Sequence, residues 1–364
     1  MKRFAIPVLI SVLLGNAAWG QEYLDLGGKE TTDERLAEKL KGLTEVKGLS
    51  LDGAPITDSG LLHLKKLTKL ESLNLSDTDI TDAGLPHLRG LTNLRILKLY
   101  RTSITDEGLA HLKGLQNLTT LDLQKSRVTG NGLAQLKGLT NVRYLSLKDT
   151  PTTDTGLEHL KGLANLKVLW LDRTNITDIG LVHLKENVAL KIISLTGTEV
   201  TGSGLAHLKG LPKLEEIFLD RSKITDENLV HLKGIPNLAA IDLTNTQISD
   251  KGLLHLKEVK NLEYLDLDET QVTDKGLEHL KTSWTLRRLD LSGTKITDAG
   301  LSSIGGLHNL HWLTLYGTPI TDAGLVHLRQ LRKLSILTLQ KTRVTDIGVR
   351  KLKKILPSIS NISH

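Results

Sequence analysis

Apolar residues return along this chain on a fixed beat. Laid out in rows of 24 from Leu43, the sequence fills thirteen rows without insertion or deletion and ends the last at Lys354. One row, Leu91 to Gly114, reads LTNLRILKLYRTSITDEGLAHLKG; the next, Leu115 to Gly138, reads LQNLTTLDLQKSRVTGNGLAQLKG. The shared pattern is LxxLxxLxLxxTxITDxGLxHLKG. Leu97 and Leu99 alternate with Ile96, Lys98 and Tyr100, the period of a strand with one buried face. The two leucines are expected to point into the coil and the three alternates out of it. Repetition in register predicts parallel strands stacked ~4.8 Å apart. Leu109 and Leu112 then fall at i and i+3, which predicts a short outer helix with one inward stripe.

The invariant polar positions have structural expectations of their own. Thr or Ser fills the twelfth position of every row but one, where Ala54 stands. The chain turns there, and a small hydroxyl is expected to bond stranded backbone groups of its own and the next coil. Asp106 is expected to cap the helix N-terminus. In the rows that carry Gly130 and Gly202 instead, Asn131 and Ser203 are expected to take over the cap. Gly108 recurs in every row except the one with Asn228; a glycine inside a helix predicts close approach of neighbouring coils. Gly114 is expected to end the helix in a left-handed conformation.

The strand segment Leu94–Leu97–Leu99–Thr102–Ile104 resembles that of leucine-rich repeats. The ITDxGLxxL continuation is similar to the cysteine-containing subtype, with Thr where that subtype has Cys. The resemblance covers Leu43 to Lys354. It implies an α/β solenoid: an arc with a parallel β-sheet on the concave face and short helices on the convex face. It also implies a binding function, and in the cysteine-containing subtype a substrate-receptor role in ubiquitin ligases. That last role is disfavoured here by the leader described below and by the lack of a helical F-box-like segment before Leu43.

The first twenty residues, MKRFAIPVLISVLLGNAAWG, pair a basic start with an apolar run from Ala5 to Leu14 and small residues at Ala18 and Gly20. This is the pattern of a signal peptide cleaved before Gln21, and it predicts a secreted, periplasmic or envelope protein of bacterial type. Residues 21–42 read as a capping half-repeat with one extra residue. Residues 355–364 read as a C-terminal cap, with Pro357 stopping the last helix and Ile359 or Ile362 covering the final coil. No later stretch is long enough for a membrane span. Cysteine is absent, so no disulfide staples the ends. The net charge of +6 falls to near +4 without Lys2 and Arg3, a mild excess that carries no nucleic-acid signal. The chain is expected to be a monomer.

Candidate chemistry is thin. His63, His87, His111 and seven equivalents recur at one helix position, but neighbouring helices ~8–10 Å apart do not bring their nitrogens onto one ion. They read as rings covering the leucine stripe, and no metal or cofactor is expected. The sequons at Asn74, Asn117, Asn175 and Asn361 are weak in a repeat rich in Asn and Thr. No catalytic grouping stands apart from the repeat, so no enzyme is expected. The informative residues are those that vary between rows. Seven of the nine aromatics beyond the leader lie in the sixth, eighth and tenth columns: Tyr100, Tyr144, Trp170, Phe218, Tyr264, Trp312 and Tyr316. Chance would place about one there, and the inward strand positions, equally suited to aromatics, hold none. Charges are sorted too, with Arg95, Lys98, Arg101, Lys125, Arg127 and Arg173 in early rows and Glu216, Asp220, Asp242, Asp266, Asp268, Glu269 and Asp290 in later ones. Arg221, Arg287 and Arg288 partly offset the acids. A protein partner is therefore expected on the concave face. Tyr144, Trp170 and Phe218 would be its central anchors, flanked by Arg101 and Arg173 on one side and by Asp242 and Asp266 on the other, with Asp220 and Arg221 as further contacts. The alternatives are a glycan stacked on the rings, and Ca²⁺ or a basic partner on the acids.

Overall fold

The structure, a computed structural model, describes residues 22–364; the expected leader lies outside the described residues. The chain forms two compact units that part between Trp170 and Leu171, a division the uniform repeat did not announce. Each unit is an α/β solenoid of stacked coils with a parallel sheet on one side and short helices on the other. The first holds seven three-residue strands, from Tyr23–Asp25 to Val168–Trp170, and the second holds eight, from Ile192–Ser194 to Asn361–Ser363. Within each unit the strands follow chain order and pair in parallel. Register steps by one row, as in Leu73 against Leu97 and Leu97 against Leu121. The outermost pairs, Tyr23 with Gly48 and Ile336 with Asn361, step by one residue more.

The strands occupy the sixth to eighth positions of each row, where the alternation put them. Leu97 and Leu99 are fully buried, while Ile96 and Lys98 beside them are half-exposed. Thin Leu layers repeat through both units and take the place of one thick core. The twelfth-position hydroxyl donates to the carbonyl three residues earlier in its own coil, as Thr102 does to Leu99 at 2.7 Å and Thr318 to Leu315 at 2.6 Å. The part of the expectation that reached into the next coil is not met at these residues. Asn side chains at the third position do make that step: Asn93 donates to the Thr68 carbonyl at 2.8 Å and Asn261 to Pro236 at 2.9 Å.

The outer side departs from expectation in two ways. Most of its helices are short 3₁₀ turns such as Gly108–His111; α-helix occurs in fewer coils, among them Asp298–Ile304 and Asp346–Ile355. A 3₁₀ turn rises ~2.0 Å per residue against ~1.5 Å, so it spans the coil with fewer residues, and a central glycine weakens the α alternative. The recurrent Asp, moreover, is not a helix cap. The residue before it caps where a side-chain cap exists, as when Thr297 accepts from the Ala299 amide. The Asp instead reaches into the next coil: Asp58 accepts the Thr81 amide at 2.8 Å and hydroxyl at 2.6 Å, and Asp298 does the same for Thr321. Where Gly130 and Gly202 replace it, neither Asn131 nor Ser203 caps. The next coil's amide turns to backbone, Thr153 to the Thr129 carbonyl at 3.0 Å and Thr225 to Thr201 at 3.1 Å.

This clamp accounts for the recurrent glycine, whose close approach to the neighbouring coil is as expected. A Cβ at Gly108 would lie 2.2 Å from Asp82 Oδ1, and one at Gly300 would lie 2.3 Å from Asp274 Oδ1. The exception follows the same rule. Asn228 stands beside Gly202, where the Asp is missing, and its amide donates to the Thr201 carbonyl. Gly114 is not left-handed; in its column only Gly42 and Gly210 are. The left-handed position is the eleventh of the row, held at φ of 53–57° by Asp77, Arg101, Lys125, Asp149, Arg173, Arg221, Asn245, Glu269 and Lys341.

Both ends are closed by more than a stub. Thr32 caps the helix Asp33–Lys39, which buries Leu36. At the other end the helix Asp346–Ile355 stops just before Pro357, Ile359 is buried, and Asn361–Ser363 adds a strand to Ile336–Thr338. Among the described residues no helix is long and apolar enough to cross a membrane.

Candidate functional site

The sixth, eighth and tenth side chains of each coil stand on the sheet face opposite the leucine layers, and they form the candidate site of each unit. In the first unit, Tyr100 is half-exposed; Lys125 donates to its hydroxyl and lies 5.4 Å from its ring centre. Arg101 pairs with Asp77 at 3.1 Å. Trp170 is half-exposed, donates its indole N–H to the Tyr144 hydroxyl, and carries the Lys148 ammonium 3.9 Å over its ring. Tyr144 itself is only 4% exposed. It holds the Trp170 indole through that hydrogen bond, and its burial leaves it no direct anchor. Lys148, in the tenth column of its own row, belongs to this cluster and was missed.

The second unit gathers the remainder. Phe218 is half-exposed and lies in register beside Asp242. Asp220 is 1% exposed and accepts the Thr196 hydroxyl, so it is a structural acid out of a partner's reach. Arg173 and Arg221 project from left-handed backbone and are exposed. Tyr264, Trp312 and Tyr316 are half-exposed. The Arg288 guanidinium lies 4.6 Å from the Trp312 ring centre, and Lys341 lies 5.0 Å from that of Tyr316. Both contacts fall in the range of cation–π attraction.

Asp242, Asp266 and Asp290 are direct neighbours on successive strands. Each turns one oxygen to the amide two residues on in its own coil: Thr244 at 2.9 Å, Asp268 at 3.1 Å and Ser292 at 2.9 Å. That amide has no partner in the ladder, which gives the column a local structural reason. Burial, then the charges of Asp290 and Asp242, push the Asp266 carboxyl up to about 8. Burial and the same kind of crowding push Asp268 up to about 6. Glu216, in the sixth column, is raised to about 7 by burial and by Glu215. Like charges on adjacent strands, half-shielded from water, are costly to hold ionised together. The face therefore retains protons near neutral pH. No group of three His, Asp or Glu side chains among the described residues converges as a metal site. Eight of the ten repeated histidines are half-buried on the helix side, and burial lowers His87, His111 and His231 below the usual imidazole range.

The family model described as "Leucine Rich repeat" matches residues 66–85, 114–136, 260–281 and 283–305. The coils those stretches belong to are the ones whose strands and leucine layers are described above. Over those stretches the chain carries leucine-rich repeats. Solved structures similar to it include an internalin of Listeria monocytogenes, at 27% identity and a TM-score of 0.64 over 81% of each chain. A leucine-rich-repeat protein of Leptospira interrogans is 20% identical with a TM-score of 0.60, covering 92% of this chain and all of that one. A TLR13 chain in complex with a single-stranded RNA is 20% identical with a TM-score of 0.60, and this leucine-rich-repeat chain spans about half its length (53%). No curated protein sequence matches the chain.

Proposed function

We propose that the chain is a non-enzymatic binding scaffold, exported from the cell, that takes a protein partner on the open face of its sheet. The leucine-rich-repeat fold is a scaffold typical of protein-binding proteins. The observation that carries the reading is the second unit's face, where Tyr264, Trp312 and Tyr316 stand beside Asp242, Asp266, Asp268 and Asp290. Rings of this kind are the usual anchors of protein contacts, and a basic partner would relieve the crowded acids. A polyanion such as nucleic acid meets repulsion there. The signal-peptide pattern of the first twenty residues supports export, and the half-exposed rings keep a glycan as the second reading.

The test is a photo-crosslinking side chain placed at Trp312 or, as control, at His255 on the helix side, with the protein returned to its own exported fraction. A protein adduct at position 312 alone, lost when Tyr316→Ala and Tyr264→Ala are added, is the expected result. Adducts of equal yield at both positions would refute a face-specific partner, and glycan adducts at position 312 would favour the second reading.

A further inference from the structure

On the first unit, at the edge where strands begin, lies a polar trough of about 410 Å³. It is separate from the open-face site, and its floor is made by two repeating columns. In one, Arg95, Thr119 and Arg143 stand on three successive coils, tied by backbone bonds of 2.8 Å from Thr119 to Arg95 and from Arg143 to Thr119. In the other, Asn117 donates to the Thr92 carbonyl at 3.0 Å and Asn141 to Gln116 at 2.9 Å. Those bonds fix the two carboxamides, and each keeps a second N–H and its oxygen for a ligand. Arg143 forms no ion pair among the described residues; Arg95 has one, at 3.8 Å, with the half-buried Glu71, which also lines the trough and which an incoming carboxylate would displace.

The trough thus offers two guanidinium forks two coils apart, about 10 Å on a coil step of ~4.8 Å, with fixed carboxamides along the same line. Guanidinium forks recognise carboxylates; carboxamides recognise hydroxyls as both donor and acceptor. A pyranose unit in an extended chain is close to one coil step in length. We propose that this trough binds an acidic oligosaccharide in which uronate and neutral sugars alternate. Such a chain sets one carboxylate on Arg95 and the next on Arg143, and turns the hydroxyls of the intervening sugar toward Thr119, Asn117 and Asn141. The trough is of a size to hold a small ligand, so a few sugar units span it and longer chains run on past its open ends.

The experiment is calorimetric titration of the full chain with a hexasaccharide of alternating uronate and neutral sugar. A neutral hexasaccharide and a single-stranded hexanucleotide serve as comparisons. The expected result is binding of the acidic sugar, weakened at least tenfold by Arg143→Gln. Arg95→Gln/Arg143→Gln should abolish it with an unchanged circular dichroism spectrum. Trp312→Ala/Tyr316→Ala should leave it intact, so that the trough and the open-face reading stand or fall separately. No binding by the unaltered chain would overturn the proposal, as would full affinity in the double variant. So would a neutral sugar or the nucleotide binding as tightly, which would mean that the forks read no pattern or charge alone.

Discussion

Asp82 holds the amide and hydroxyl of Thr105 in the next coil at 2.9 and 2.5 Å, and its oxygen occupies the space that a side chain at Gly108 would need. The two positions are therefore one device. Gly108→Ala should destabilise the protein by about 1–3 kcal/mol, as overpacking generally does. In an Asp82→Gly background the added methyl should cost far less, because the oxygen it would meet is gone; the Gly202–Asn228 pair already realises that combination. Urea denaturation of the four proteins in a double-mutant cycle measures the coupling. Additive effects would mean that the clamp and the glycine are unrelated. The periodic Asp and Gly were plain in the sequence, and so was close approach at the glycine. The partner of the Asp was not: a cap and an inter-coil bond require the same residue type at the same place, and only the next coil's position decides between them.

At the scale of the strand, alternation carried most of the information. The burial of Leu265 between Tyr264 and Asp266 follows from a period of two and a single packed face. What alternation could not give was depth. Tyr144 and Asp220 project to the open side as expected, yet both are buried, one bonded to Trp170 and the other to Thr196, because neighbours on adjacent coils decide what water reaches. The eleventh position was hidden for another reason. Its left-handed backbone is usually betrayed by Gly or Asn, and here most occupants are charged. The acid column gives a test at this scale. Asp266 has a folded pKa of about 8, above the 3.8 of an unstructured chain, so the folded state binds its proton more tightly. Protonation then contributes stability fully below about pH 4, and that contribution is lost as pH rises toward 8. Asp266→Asn, which mimics the protonated acid, should raise the melting temperature more at pH 8 than at pH 4. An equal shift at both would show that Asp266 is ionised in the fold.

For the molecule as a whole, thin leucine layers leave one sheet face free along each unit, and the aromatic and charged residues that differ between coils are placed there. A surface whose carboxylates are crowded enough to hold protons near neutral pH, beside half-exposed rings, is suited to a partner that brings positive charge and apolar contact. In the coil of Tyr264, Asp266 and Asp268 the sixth, eighth and tenth side chains meet solvent while the seventh and ninth, Leu265 and Leu267, do not. The chain has no cysteine, so single cysteines can be placed at 264, 265, 266, 267 and 268 and labelled with a maleimide in the folded protein. The account predicts fast labelling at 264, 266 and 268 and strong protection at 265 and 267. Uniform labelling, or protection that does not alternate, would contradict it.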